Sequence, residues 1–255
     1  MIDTHAHLHD PAFDEDRDAV LLRAREAGVE MIVTVGCDLE DSRRAMLFAD
    51  RAMQAWTLGI HPHEAKNAPA DVAAAFDDLL STAPVKPVAI GETGLDFHYD
   101  HSPRDDQQRI MQAQLAYARS HDLPVVFHQR EAFETFVKIL REHWADGMRG
   151  IVHCFTGSPS EARALTKEFG LFLGIGGVVT FKNAQLLREA VRAVGVERLV
   201  LETDCPYLAP MPRRGDRNEP AFMGYTVDRL CEILVCDRVE LLATTSRNAR
   251  ELLSL

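Results

Sequence analysis

The chain has 255 residues, 46% of them apolar and 26% charged, with a formal net charge of −11. That length suits one large domain or two small ones, and a core of this size buries most of its chain, so no staple is needed for folding. The balance excludes a protein that tracks a long phosphate backbone on a broad basic stripe, and no apolar run approaches the roughly 20 residues that span a bilayer.

Short apolar runs alternate with helical patterns along the chain. The first run, MIDTHAH (1–7), carries His5 and His7 at alternate positions. Strand side chains alternate faces, so both rings point the same way, with Asp3 on that face one layer deeper. His9 shares the parity, but Asp10-Pro11 is expected to end the strand before it. MIVTVGC (31–37) and AWTLGIH (55–61) follow, the latter ending in His61 with His63 just beyond. PVAIGE (87–92) ends in Glu92 and PVVFHQ (124–129) runs through His128. GIVHCF (150–155) contains His153, LFLGIGG (171–177) carries no titratable residue, and RLVLETD (198–204) ends in Asp204.

Helical patterns fill the intervals. Met111, Leu115 and Ala118 form one apolar stripe, and Phe133, Phe136, Val137 and Leu140 form another. Ser158-Pro159-Ser160-Glu161 has the form of a capping box with proline at the first helical position, and Gly170 closes that helix. Segment 237–253 is a polar helix, and 205–222 is the one long irregular stretch. Eight strand-like runs with helical crossovers in this length predict a single-domain (β/α)8 TIM barrel over residues 1–255. The alternative, an open doubly wound sheet, lacks its usual glycine-rich loop after the first strand.

In such a barrel function sits at the C-terminal ends of the strands, where His5, His7, His61, Glu92, His128, His153 and Asp204 gather. Burying so many polar rings without partners costs several kcal/mol (about that per unsatisfied cluster), so a metal site is expected. Six ligands, His5, His7, Glu92, His128, His153 and Asp204, exceed what a single zinc takes with an open position. The natural partition puts His5, His7 and Asp204 on one ion and His128 and His153 on a second, with Glu92 shared. The reading is a hydrolase with two divalent ions, zinc, manganese or magnesium, and Asp204 as general base. Asp3 and Glu202 are assigned to support ligand imidazoles from behind by hydrogen bonds. His98, His101, His121 and His143 read as structural or solvated. The five cysteines, odd in number and scattered, read as free thiols in a reducing, cytoplasmic setting. The acidic, His-rich start does not read as a signal peptide.

DTHAHL (3–8), GIHPH (59–63), GETGLDF (91–97), HQREA (128–132), VHCFTGS (152–158), GIGGVVTFKNA (174–184), ETDCPYLAP (202–210) and RNEP (217–220) occur in that order. Thr245, Asn248 and Leu252 complete a terminal T-x-x-N-x-x-x-L pattern. In these motifs the chain resembles the TatD-type metal-dependent deoxyribonucleases of the amidohydrolase-like barrels. The resemblance implies metal ligands at the same six positions, and His61 and His63 facing the substrate phosphate or leaving group as part of the catalytic set with Glu92 and Asp204. It also implies phosphodiester hydrolysis, usually 3′–5′ on DNA. Cys205 departs from the small residue usual there, and Phe97-His98 from an aromatic pair.

A short or single-stranded DNA end with a terminal phosphate is the expected partner, with tRNA a second candidate; no membrane and no obligate protein partner are expected. Arg213, Arg214 and Arg217, in the loop after the eighth strand, are assigned to that phosphate, and Tyr207 or Phe97 to base stacking. Competing readings are an ester or amide hydrolase such as a D-aminoacyl-tRNA deacylase, and a non-catalytic metal-binding scaffold. Lactonase, dihydroorotase-like and phosphotriesterase sites often use a carbamylated lysine, but the fourth run ends in Glu92 and Lys86 lies at its other end. A decayed scaffold should have lost ligands, and none of the six is missing.

Overall fold

The computed structural model describes residues 1–49 and 53–255. Eight parallel strands form one sheet in sequential order: β1 (Ile2–Ala6), β2 (Met31–Val35), β3 (Gln54–Leu58), β4 (Ala89–Asp96), β5 (Val125–Arg130), β6 (Gly150–Val152), β7 (Phe172–Ile175) and β8 (Leu199–Leu201). Nine α-helices are present among the described residues: α1 (Arg17–Glu26), α2 (Leu39–Leu47), α3 (Val72–Ser81), α4 (Arg104–Ser120), α5 (Phe133–His143), α6 (Pro159–Glu168), α7 (Gln185–Val194), α8 (Met223–Leu234) and α9 (Arg238–Leu253). This is the (β/α)8 barrel expected from the alternation of runs. None of its helices is long and apolar enough to cross a membrane among the described residues.

The sheet closes where β1 meets the segment leaving β8. Asp204 N–H donates to the His5 carbonyl at 2.8 Å and His7 N–H to the Cys205 carbonyl at 2.8 Å. Thr4 Oγ1 donates to the Leu201 carbonyl at 3.0 Å, and the Asp3 carboxylate accepts from Thr203 N at 3.0 Å and Thr203 Oγ1 at 2.6 Å. Asp3 therefore does not hold an imidazole, as its parity suggests; both its oxygens are spent on the seam and on the His5 backbone N–H at 3.3 Å. Burial pushes its carboxyl up to about 7, against those hydrogen bonds.

Val33, Val35, Val126, Ile151 and Val200 belong to an apolar cluster that includes Ala249, Leu252 and Leu253 of α9. This helix therefore backs the end of the barrel remote from the histidines. Asn248 fixes it there by donating to the carbonyls of Leu199 at 2.9 Å and Val196 at 3.2 Å. A larger cluster, including Trp56, Phe76, Phe127 and Phe136, lies between strands and outer helices. The Ser158–Glu161 box forms in both directions at the start of α6, and Asp237 caps α9.

Candidate metal centre

The period of two carries the barrel's interior pattern into its mouth. Val126 points inward, so His128 two residues on does too, and Ile151 sets the direction of His153 in the same way. The strand ends differ in detail from the sequence runs. β3 stops at Leu58, so His61 is not on the strand but caps a short 3-10 helix, Pro62–Asn67. β6 and β8 also stop short, leaving His153 and Asp204 on the following turns. Asp204 holds a left-handed backbone, φ 58°, which turns its carboxylate back over the mouth.

Glu92 is at the middle of the constellation. Its Oε2 lies 3.2 Å from His5 Nε2. Its Oε1 lies 2.9 Å from His128 Nδ1, 3.4 Å from His153 Nε2 and 3.5 Å from His61 Nε2. Asp204 Oδ1 lies 3.5 Å from His7 Nε2 and 3.9 Å from His5 Nε2. All six expected ligand residues thus meet in one place. His5, His7 and Glu92 offer donor atoms within 4.8 Å of one another, as do His61, Glu92 and His128, and His5, His153 and Glu202. Gly91, φ 140°, makes room for this approach, because a Cβ there would stand 2.4 Å from the Val126 carbonyl oxygen.

The rings are oriented from behind. His7 Nδ1 meets the Val35 carbonyl at 3.1 Å, which leaves Nε2 facing the site. Glu202 is fully buried, accepts from Cys154 N–H at 2.6 Å and stands 3.4 Å from His153 Nδ1, with no hydrogen bond formed between them. Neither ring nitrogen of His5 makes a hydrogen bond among the described residues, although the ring is fully buried and stacked on His153 at 3.6 Å. Orphaned buried imidazole nitrogens beside two carboxylates are the donor set of a divalent-metal centre.

Electrostatics follows from this crowding. Burial opposes charge on Glu92, yet His153, His61, His5 and His128 together hold its carboxyl well below the usual carboxylate range. Burial also works against His153, but Glu92, Glu202 and Asp204 outweigh it and raise the ring to about 9. Burial dominates at His61 and lowers it to about 4. His61 Nδ1 accepts from His63 N–H at 3.1 Å, so the neutral ring carries its proton on Nε2 and presents a donor, not a lone pair, to the site.

Residues outside the sequence assignment also line the same cavity of about 640 Å³, among them Asp96, Tyr99 and Arg130. Asp96 Oδ2 lies 3.0 Å from both His63 Nε2 and His128 Nε2. His128 is therefore held between two carboxylates. His9 also borders the cavity, paired with Asp41 at 2.8 Å rather than with the donors.

The structure does not bring the three loop arginines to the cavity. Arg217 forms a two-pronged pair with Asp16, at 2.7 and 2.8 Å, over the Phe13 ring. Arg213 lies over Phe222 and Arg214 over Phe181. Their place in the loop after β8 follows from the sequence, but the direction of their side chains is set by these aromatic and acidic partners. Phe97 is likewise away from the cavity, under Arg104, whereas Tyr207 lines it. Lys86 lies in a separate cavity with Leu253 and Leu255, at the other end of the barrel. All five cysteines are free thiols.

Comparison with known proteins agrees with this geometry. Residues 2–254 match the family model described as TatD related DNase. The chain is 40% identical to the uncharacterized metal-dependent hydrolase YabD of Bacillus subtilis, covering 99% of this chain and 98% of that protein. It is 39% identical to the 3′-5′ ssDNA/RNA exonuclease TatD of Erwinia amylovora over the full length of both. Among solved structures it is similar to YjjV, a TatD homolog from Escherichia coli, with TM-score 0.92, 29% identity and coverage of 100% and 98%. The chain belongs to the TatD-related DNase family.

Proposed function

We propose that the chain is a metal-dependent nuclease that removes nucleotides from the 3′ end of single-stranded DNA, using two divalent ions. The observation that carries this reading is Glu92, whose Oε2 faces His5 while its Oε1 faces His128 and His153. His5, His7 and Asp204 would hold one ion, His128 and His153 the other, with Glu92 shared. The nucleic-acid substrate is supported by the exonuclease relatives of the same length.

Divalent ions bound there supply Lewis acidity, which lowers the pKa of water and offsets charge developing on the phosphate. The chain's own groups do the rest. His61 Nε2–H donates to a non-bridging phosphate oxygen. Asp204, part exposed and beside His5 and His7, accepts a proton from the attacking water. The water oxygen bonds to phosphorus as the P–O3′ bond breaks. The departing 3′ oxygen takes one proton from solvent, and Asp204 returns its own. The sum is one water consumed, one nucleoside 5′-monophosphate released and a strand shortened by one.

The test is digestion of a 5′-labelled single-stranded oligonucleotide with manganese, magnesium or zinc, alongside metal analysis of the protein. The expected result is a ladder shortening from the 3′ end, abolished by chelator, with two ions per chain. Internal cuts, or an intact oligonucleotide with metal-loaded protein, would overturn the assignment.

A further inference from the structure

The mouth of the cavity is electrically lopsided. Asp10, Asp38, Asp41 and Glu64 line it on the side of β1 to β3. Arg130, the last residue of β5, is the one lysine or arginine lining it among the described residues. Two exposed tyrosines also line it, Tyr99 at 51% and Tyr207 at 55% exposure. Tyr99 follows β4 and carries the Arg130 guanidinium 4.6 Å above its ring. Tyr207 follows β8, with its ring 6.2 Å from that of His7, just past β1. In a ring of eight strands in sequential order, β4–β5 and β8–β1 are opposite sides, so the tyrosines stand across the mouth with the donors between them.

Arg130 is set in place before any ligand arrives. Tyr99 beneath it stacks parallel to His101 at 5.4 Å, and its backbone N–H donates to Asp96 Oδ1 at 2.9 Å. Arg130 forms no ion pair among the described residues, whereas Arg217 is committed to Asp16. A planar guanidinium held on an aromatic face and free of a carboxylate is suited to a phosphate.

A strand whose last phosphodiester lies on the donors extends unequally on the two sides. Beyond it is one nucleoside without a further phosphate. Before it runs the rest of the strand, with one negative charge per nucleotide. That charged side is repelled by the carboxylate arc and drawn to Arg130. The terminal base is left to the opposite wall, where Tyr207 and Leu208 offer an exposed apolar surface.

We propose that Arg130, held on Tyr99, binds the phosphate immediately 5′ of the scissile one, and that Tyr207 receives the 3′-terminal base. The assignment rests on the nuclease reading above and adds the direction in which the strand crosses the mouth.

The test compares a trinucleotide, with two phosphates, against a dinucleotide, with only the scissile one, on metal-loaded protein. Arg130→Gln should lower the ratio of kcat/KM for trinucleotide over dinucleotide about tenfold. Arg130→Lys should restore part of it. Arg247→Gln, which removes a charge paired with Glu197 at the far end of the barrel, should leave it unchanged. Tyr207→Leu should lower about tenfold the preference for a base-bearing over an abasic 3′ residue. In the unmodified protein the ratio should fall as salt rises, with a log–log slope of about −0.7 for one added phosphate contact. An Arg130→Gln ratio within twofold of the parent overturns the proposal while leaving the nuclease reading intact, and so does a salt-independent parent ratio. Failure of the parent protein to cleave either substrate overturns both.

Discussion

Replacing Glu92 by glutamine keeps the shape of the side chain and removes its charge and one acceptor. The carboxylate is 3% exposed and has His5 Nε2 at 3.2 Å on one oxygen and His128, His153 and His61 on the other. The amide nitrogen is best tolerated where it meets one ring instead of three, on the His5 side. The loss should therefore fall on the ion held by His5, His7 and Asp204, and bound metal should drop from two ions toward one. Removing one preorganised electrostatic group from a dry site costs roughly 3–4 kcal/mol of transition-state stabilisation, or about 10²–10³ in kcat. In chelator the same substitution should lower the pKa of His153 from its raised position near 9, because Glu92 makes the largest contribution that raises it. Exonuclease kinetics, metal analysis and histidine titration by NMR supply the three readouts, with circular dichroism as the folding control. Two ions per chain, kcat within tenfold and an unshifted His153 would refute the shared-carboxylate reasoning.

Gly174→Ala would set a Cβ 2.1 Å from Glu202 Oε2, forcing that carboxylate away from Cys154 N–H and His153; metal affinity should fall about 10–100-fold in a metal titration. Asp3→Asn tests the seam in chelator. An acid with a folded pKa of about 7 and an ordinary value of 3.8 keeps its proton on folding, so the parent should lose stability as pH rises from about 4 to 7. The loss is at most roughly 4 kcal/mol at 1.36 kcal/mol per pH unit, and denaturation of the Asn variant should lack that slope. Metal loading at a hundredfold excess over Kd should stabilise by about 2.7 kcal/mol and raise Tm by roughly 5–10 °C over the chelated protein; coincident melts would contradict metal binding to the folded state.

Much of this site is legible because two periodicities suffice for it. Alternation along β1 aligns His5 with His7, and strand-end position collects Glu92, His128 and His153. The same alternation carried two residues past His128 reaches Arg130, and carried four past Glu92 reaches Asp96, so both were readable by parity. Tyr99 was not, because it lies beyond a turn whose path depends on Asp96 accepting from its N–H and from that of His98. The loop arginines failed for a related reason. Clustering in sequence gives proximity, but the Asp16 and Phe13 partners of Arg217 come from a segment 200 residues away. His61 was placed on a strand because an apolar run does not mark where pairing ends; its ring caps the next helical turn instead.

The seam between β1 and the segment leaving β8 also sets an order of events in time. Asp3 and Thr203 are joined across 200 positions, and His5 and His7 reach Asp204 only through that closure. A ribosome that has delivered seven strands has made His5, His7, Glu92, His128 and His153 but not the carboxylate that completes their group. The nascent chain thus holds an unfinished centre, whose donor group closes only when the last strand has emerged and docked.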